Sequence, residues 1–292
     1  MSLARSTPAD GYRQARLIEL AQDWRFSMIF LFAFSTLIRF IEIDRWPHVD
    51  ELYHVMAAQG WLAHGEPRIA DGLYTRAELF TALVAGSLRL FGDNLVAARL
   101  PSVVAGSLLV VAVFLWTRMV VGSAAAWIAA LLLCLSALSF QLFLWARFYA
   151  LHALVFWLGA IGTYALVEAE LSLWRKLGLV VGIGVAFLLT LHLHPVTLIG
   201  LAAIAVWLCL TVALPWLWSG RAHGAWRAVA VLGMVLLVAV VLVEFRDLVA
   251  SLWQKYRWAS PHAAEHQNEL WFYHLLLLER YPAIWLSFPS LP

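Results

Sequence analysis

The stretch His48-Val49-Asp50-Glu51-Leu52-Tyr53-His54 holds four side chains able to move a proton or ligate a metal. A water-facing carboxylate at a membrane surface can accept the proton of an acceptor hydroxyl. General-base help of this kind gives roughly 10²–10⁴-fold in rate. Arg76, Arg99 and Arg147 are cations that could neutralise a phosphate leaving group as its charge develops. Asp50 and Glu51 also have a plainer use. Acids at a helix start satisfy free N–H groups and complement the helix dipole. Arg76 and Arg99 could equally be solvated or snorkel to headgroups. A metal is a further alternative. On a helix Glu51 and His54 share a face at i,i+3, and Asp50 and His54 at i,i+4. Oxygen and imidazole donors suit Mn²⁺ or Zn²⁺. His48, Asp50, Glu51 and His54 would be the ligands, but spacing supplies no full ligand set, so no cofactor is assigned. His192 and His194 fall at a helix end, where histidine either contacts a substrate or meets free carbonyls.

These residues need elements that hold them at a membrane. Hydrophobic residues make up 63% of the 292-residue chain and charged residues 13%. Soluble domains run about 45–50% apolar and about 25% charged. Sixteen Trp suit interfacial belts. The net charge of +2 gives no field for nucleic acid. Cys134 and Cys209 lie in apolar runs and read as small core residues. A span needs about 20 mostly apolar residues. Seven segments qualify: 26–43, 101–121, 124–144, 149–168, 177–193, 196–216 and 226–244. Segment 79–91 is short and interrupted by Arg89, so it is expected to lie on the membrane.

The expected fold is an all-α, polytopic transmembrane bundle, one domain over 1–292. Residues 1–25 carry Arg5, Arg13, Arg16 and Arg25 and are expected on the cytoplasmic side as a retained signal-anchor flank. Arg118, Arg175, Lys176, Arg221 and Arg227 then also fall inside, and residues 44–100 form a long outer loop. That loop also carries Arg45 and Arg68 with Arg76 and Arg99, and loops of such length obey the charge rule poorly. Within it, apolar positions Leu52, Val55, Met56 and Leu62 predict a helix over 50–64, with Gly65 past its end. Residues 245–292 are expected to lead outward into a missing C-terminal part. Glu244, Arg246 and Asp247 lie where the last span exits and either start a further active-site loop or mark the water boundary. Residues 267–273 read as aromatic anchor or binding segment.

An ordered series now stands along the chain. Leu37-Ile38-Arg39 and Asp44-Arg45 precede the His48–His54 stretch, and Gly60-Trp61-Leu62 follows it. Then come Tyr74-Thr75-Arg76, Leu90-Phe91-Gly92-Asp93, Ala98-Arg99-Leu100-Pro101-Ser102, Arg147-Phe148-Tyr149-Ala150-Leu151 and His192–Pro195. This order resembles the dolichyl-phosphate-mannose protein mannosyltransferase-like superfamily of GT-C glycosyltransferases, which includes bacterial aminoarabinose transferases. The resemblance covers roughly residues 27–200. It implies transfer of a sugar from a polyprenyl-phosphate donor to a lipid, lipopolysaccharide or protein acceptor, at the periplasmic face of a bacterial inner membrane. It implies Asp50 as catalytic carboxylate with Glu51 as its neighbour. Arg76, Arg147 and Arg99 would meet the donor phosphate, and Tyr53, His54, Tyr149, His192 and His194 would contact substrate. The family's Pro-Pro-Leu stretch after the basic residue reads Ala77-Glu78-Leu79 here. No phosphate-binding glycine loop and no nucleophile elbow occurs, in keeping with a lipid-linked donor. The competing expectations are a transporter or lipid flippase and a non-catalytic scaffold. A transporter would need ionisable groups deep in spans or broken helices in paired halves.

Overall fold

The structure is a computed structural model that describes residues 23–218 and positions 246, 250 and 254. It is mostly helical and divides after His194 into two compact units. The expected span at 226–244, together with Glu244, Asp247 and residues 267–273, lies outside the described residues.

In the first unit, α1 (Trp24–Phe40) starts at Asp23, whose carboxylate accepts from the Arg25 N–H at 2.9 Å. α2 (Val49–His64) begins with a reciprocal cap. The His48 ring accepts from the Asp50 N–H at 3.2 Å, and the Glu51 carboxylate accepts from the His48 N–H at 2.6 Å. Gly65 ends α2 at φ 79°, as its position past the last apolar residue predicted. A two-stranded antiparallel hairpin follows, β1 (Arg68–Ile69) and β2 (Gly72–Leu73), with Arg68 opposite Leu73. Gly60 lets α2 lie against this hairpin. A Cβ at Gly60 would stand 2.2 Å from the Arg68 carbonyl oxygen.

α3 (Glu78–Phe91) buries Phe80, Thr81, Val84, Ala85, Ser87 and Leu88 and exposes Leu83, Arg89 and Leu90. Fourteen residues rise only about 21 Å, short of a bilayer's roughly 30 Å core. α4 (Leu95–Val120) starts six residues before the expected span, because Asn94 caps it by accepting from the Ala97 N–H at 2.9 Å. Pro101 therefore lies inside the helix. Having no N–H, it leaves the Ala97 carbonyl without its helical donor. The Ser87 hydroxyl fills that place at 2.6 Å, which pins α3 to α4.

The expected span at 124–144 is instead two helices, α5 (Ser123–Leu135) and α6 (Ala137–Leu144), bent by 63°. Ser136 between them is extended, and Phe143 of α6 packs where only a glycine, Gly106 of α4, leaves room. The bend carries the chain to Trp145–Phe148, beside the start of α2. α7 (Tyr149–Glu168) and α8 (Leu173–Leu193) then pack closely, with Phe187 over Gly159 and Ile183 over Gly162. One apolar core joins Leu31, Val110, Phe114, Ala126, Ala130 and Cys134. A second lies under α2 and α3, around Ala58, Phe80, Val84, Leu88, Ala146 and Phe148.

In the second unit, α9 (Thr197–Leu208), a π-helical turn (Cys209–Ala213) and α10 (Leu214–Trp218) follow one another without a break. Among the described residues four helices are long and apolar enough to cross a membrane: Leu95–Val120, Tyr149–Glu168, Leu173–Leu193 and Thr197–Leu217. The bent pair raises this to five. α1, at 17 residues, is slightly shorter than a full span. The apolar surface decides the solvent. Only 11% of the most apolar stretch of Leu173–Leu193 is buried, and 6% of that of Thr197–Leu217. Helices apolar on faces that the protein leaves uncovered belong in lipid.

Candidate functional site

Two adjacent acids at the start of α2 point in different directions. Glu51 points inward and is fully buried. Its carboxylate accepts from Arg99 Nε at 3.1 Å and Nη2 at 2.6 Å, from the Ala146 N–H at 2.9 Å, and from the His48 N–H at 2.6 Å. Arg99, 1% exposed, spends its remaining terminal nitrogen on the carbonyls of Ile43 at 2.7 Å and Arg45 at 2.8 Å. The pair thus ties four segments together: the chain after α1, the start of α2, α4 and the turn after α6. A charged pair with its hydrogen bonds filled in this way tolerates burial.

Asp50 points outward, with its side chain 48% exposed. It lines a cavity of about 280 Å³ with Tyr53, Ile69, Gly72, Leu73, Tyr74, Arg76 and Arg147. Arg147 Nη1 donates to Asp50 Oδ2. The turn that carries Arg147 is clamped twice. Glu51 holds the Ala146 N–H, and the Ser102 hydroxyl donates to the Arg147 carbonyl at 3.0 Å. The Arg147 guanidinium lies over the Tyr149 ring at 4.7 Å and near Phe148 at 5.8 Å. Its Nε is buried with no hydrogen-bond partner among the described residues. Arg76 is exposed on the cavity wall, with no carboxylate within ion-pair distance among the described residues. Just after it, Ala77 starts α3 at φ 43°. Proline's ring fixes φ near −65°, so a proline does not fit this backbone.

His54 lies behind the cavity wall and is fully buried. Its Nδ1 meets the Thr81 hydroxyl at 3.0 Å, and its Nε2 meets the Tyr74 hydroxyl at 3.4 Å. Tyr74, Phe80 and Phe148 present ring edges or faces to it at 5.2, 5.2 and 5.9 Å. Burial, reinforced by the positive charges of Arg147 and Arg76, lowers its pKa to about 4. The ring is therefore neutral at physiological pH. Burial also raises the Tyr74 phenol above its ordinary value.

Of the residues singled out in the sequence, the structure brings Asp50, Tyr53, Arg76 and Arg147 to one cavity, with Tyr149 against Arg147. Arg99 and Glu51 do not line it, because each uses the other. His54 is screened from it by Tyr74. His194 stacks on Phe148 at 5.3 Å, whereas His192 is exposed in the last turn of α8. The four-ligand metal cluster does not assemble. Glu51 is engaged by Arg99, His54 by Thr81 and Tyr74, and the His48 ring stacks on Trp145 at 4.6 Å. Among the described residues no three of His, Cys, Asp and Glu converge as a metal site. Sequence reasoning passed over the hairpin wall, Ile69, Gly72 and Leu73. The turn residues are Ala70, at φ 52°, and Asp71, a pair that is not one of the strong hairpin signals. Nothing in the spacing marked Thr81 or Ser102.

Comparison of the chain with family models, curated proteins and solved structures yields no match.

Proposed function

We propose that the chain is a membrane glycosyltransferase that moves a sugar from a polyprenyl-phosphate donor to a hydroxyl acceptor. The reading puts the reaction at the periplasmic face of a bacterial inner membrane, with residues 1–25 on the cytoplasmic side. One observation supports it above the rest. A half-exposed carboxylate and two arginines line a single cavity in a chain of lipid-facing helices. A soluble substrate would not require so apolar a carrier, whereas a lipid-borne phosphate reaches such a cavity by lateral diffusion.

In this mechanism Arg76 and Arg147 hold the donor phosphate and stabilise the charge it gains on leaving. Asp50 accepts the proton of the acceptor hydroxyl as that oxygen attacks the anomeric carbon from the face opposite the phosphate. The anomeric carbon–oxygen bond to phosphate breaks, its electron pair stays on the phosphate, and the configuration inverts. Glu51, Arg99 and Ser102 act as positioning residues that hold the turn bearing Arg147. The acceptor is a lipid, a glycan or a protein hydroxyl.

The test is sugar transfer from radiolabelled polyprenyl-phosphate sugar in membranes carrying Asp50→Asn. Transfer falls by 10²-fold or more, on the order expected for loss of a general base, while membrane insertion stays normal. Transfer at the wild-type rate would remove Asp50 from the mechanism.

A further inference from the structure

The charge lining the cavity can be counted. Two guanidiniums, Arg76 and Arg147, face one carboxylate, Asp50, which leaves one net positive charge. Asp71, in the exposed hairpin turn, is not among the lining residues, and the groups behind the wall do not alter the count. Glu51 and Arg99 cancel one another behind the wall. His54 is buried and neutral. The His48 ring is half exposed and stacked on Trp145 outside the lining, with its Nδ1 3.2 Å from the Asp50 backbone nitrogen and 3.9 Å from Asp50 Oδ2. Asp50 and any bound anion must share Arg147. The carboxylate already takes Nη1, while the buried Nε has no partner among the described residues.

We propose that Asp50 makes this cavity selective for a monoanionic phosphodiester over a dianionic phosphomonoester, and that loss of the proton it gains during transfer expels the phosphomonoester product. The inference rests on the donor class proposed above. A sugar-phosphate-lipid diester carries one negative charge and matches the one net positive charge of the resting cavity. During transfer the acceptor's proton moves to Asp50, the bond from the anomeric carbon to phosphate breaks, and the bond to the acceptor oxygen forms. Asp50 is then neutral and the cavity carries two positive charges. The product is now a monoester, whose charge at neutral pH is about −1.5 to −2. Charge is matched again. When Asp50 gives its proton to water, the carboxylate retakes Arg147 and the dianion faces one net positive charge. A site built of the two arginines alone would hold its product more tightly than its donor.

The experiment is calorimetric titration of the purified full chain in non-ionic detergent. The probes are a short-chain polyprenyl phosphate and its monomethyl ester, at about pH 8, where the monoester is doubly ionised. The wild type binds the methyl ester about tenfold more tightly, a difference of ~1.4 kcal/mol. Asp50→Asn tightens the monoester by about tenfold or more and abolishes the preference. A preference that is unchanged in Asp50→Asn overturns the proposal, as does weaker monoester binding by that variant. Should the variant fail to fold, the wild-type ratio decides alone, and equal or tighter binding of the monoester refutes the selectivity. If neither lipid binds either protein, the donor class itself falls, and the selectivity with it.

Discussion

Asp50 and Glu51 are neighbours with the same chemistry, and each pairs with one arginine, yet the two pairs are built for opposite ends. Glu51–Arg99 is closed. It is buried, bidentate and saturated by four backbone groups besides. Asp50–Arg147 is open. It joins a half-exposed carboxylate to a guanidinium whose Nε has no partner among the described residues, on a cavity wall. One residue step, about 100° around the helix, separates architecture from chemistry. The closed pair also serves the open one, because Glu51 holds the turn from which Arg147 reaches Asp50. Which carboxylate works is thus decided by what remains unsatisfied around it.

The largest effect should come from breaking the closed pair. Glu51→Gln leaves Arg99 buried without its counter-charge, which typically costs about 3–5 kcal/mol. Thermal unfolding of the purified protein should show a large fall in midpoint. A shift no greater than that of Asp50→Asn would erase the contrast between the pairs.

The next effect lies in the wall between them. His54 has its pKa lowered from 6.5 to about 4 in the folded chain. As pH falls below 6.5 the unfolded chain takes up this proton first. The stability contribution is present above that value and is lost progressively towards pH 4, in total of the order of 3 kcal/mol. Unfolding midpoints followed from pH 7 to pH 4 should fall in the wild type and fall less in His54→Gln. Parallel curves for the two proteins would mean that His54 is not the buried neutral group described here.

The smallest effect on stability should come from the open pair. Asp50 is half exposed, so water screens its attraction to Arg147, and pairs of this kind contribute about 1 kcal/mol or less. Asp50→Asn should shift the unfolding midpoint little while it removes transfer. A fall as large as that of Glu51→Gln would recast Asp50 as a structural residue.

Much of the helical order was legible in the sequence, for physical reasons. Tyr149–Glu168 coincides with the expected span, because a mostly apolar run without Asp, Glu, Lys or Arg ends at Glu168. α2 could be read from its apolar spacing and from Gly65. Two features were not legible. Pro101 suggested a helix start, but the donor that replaces its missing N–H, Ser87, sits on another helix. The bend at Ser136 has no proline to announce it, and the helix after it seats Phe143 against the bare backbone of Gly106, a contact between distant residues. The site was legible in its residue types and only partly in its pairing. Both acids lie at the start of α2, but their divergence depends on Arg99 and Arg147, which are 48 and 97 residues away in the chain. Spacing within α2 carries no trace of either.

The sidedness of the hairpin tip tests the account most directly. Asp71 lies in the exposed turn of the hairpin beside the cavity, while Cys134 is buried. Asp71→Cys, made in a chain with Cys209 replaced by Ser, should react in intact cells with a maleimide that cannot cross the inner membrane. Modification only after the inner membrane is opened would put the cavity on the cytosolic side and contradict the periplasmic transfer mechanism.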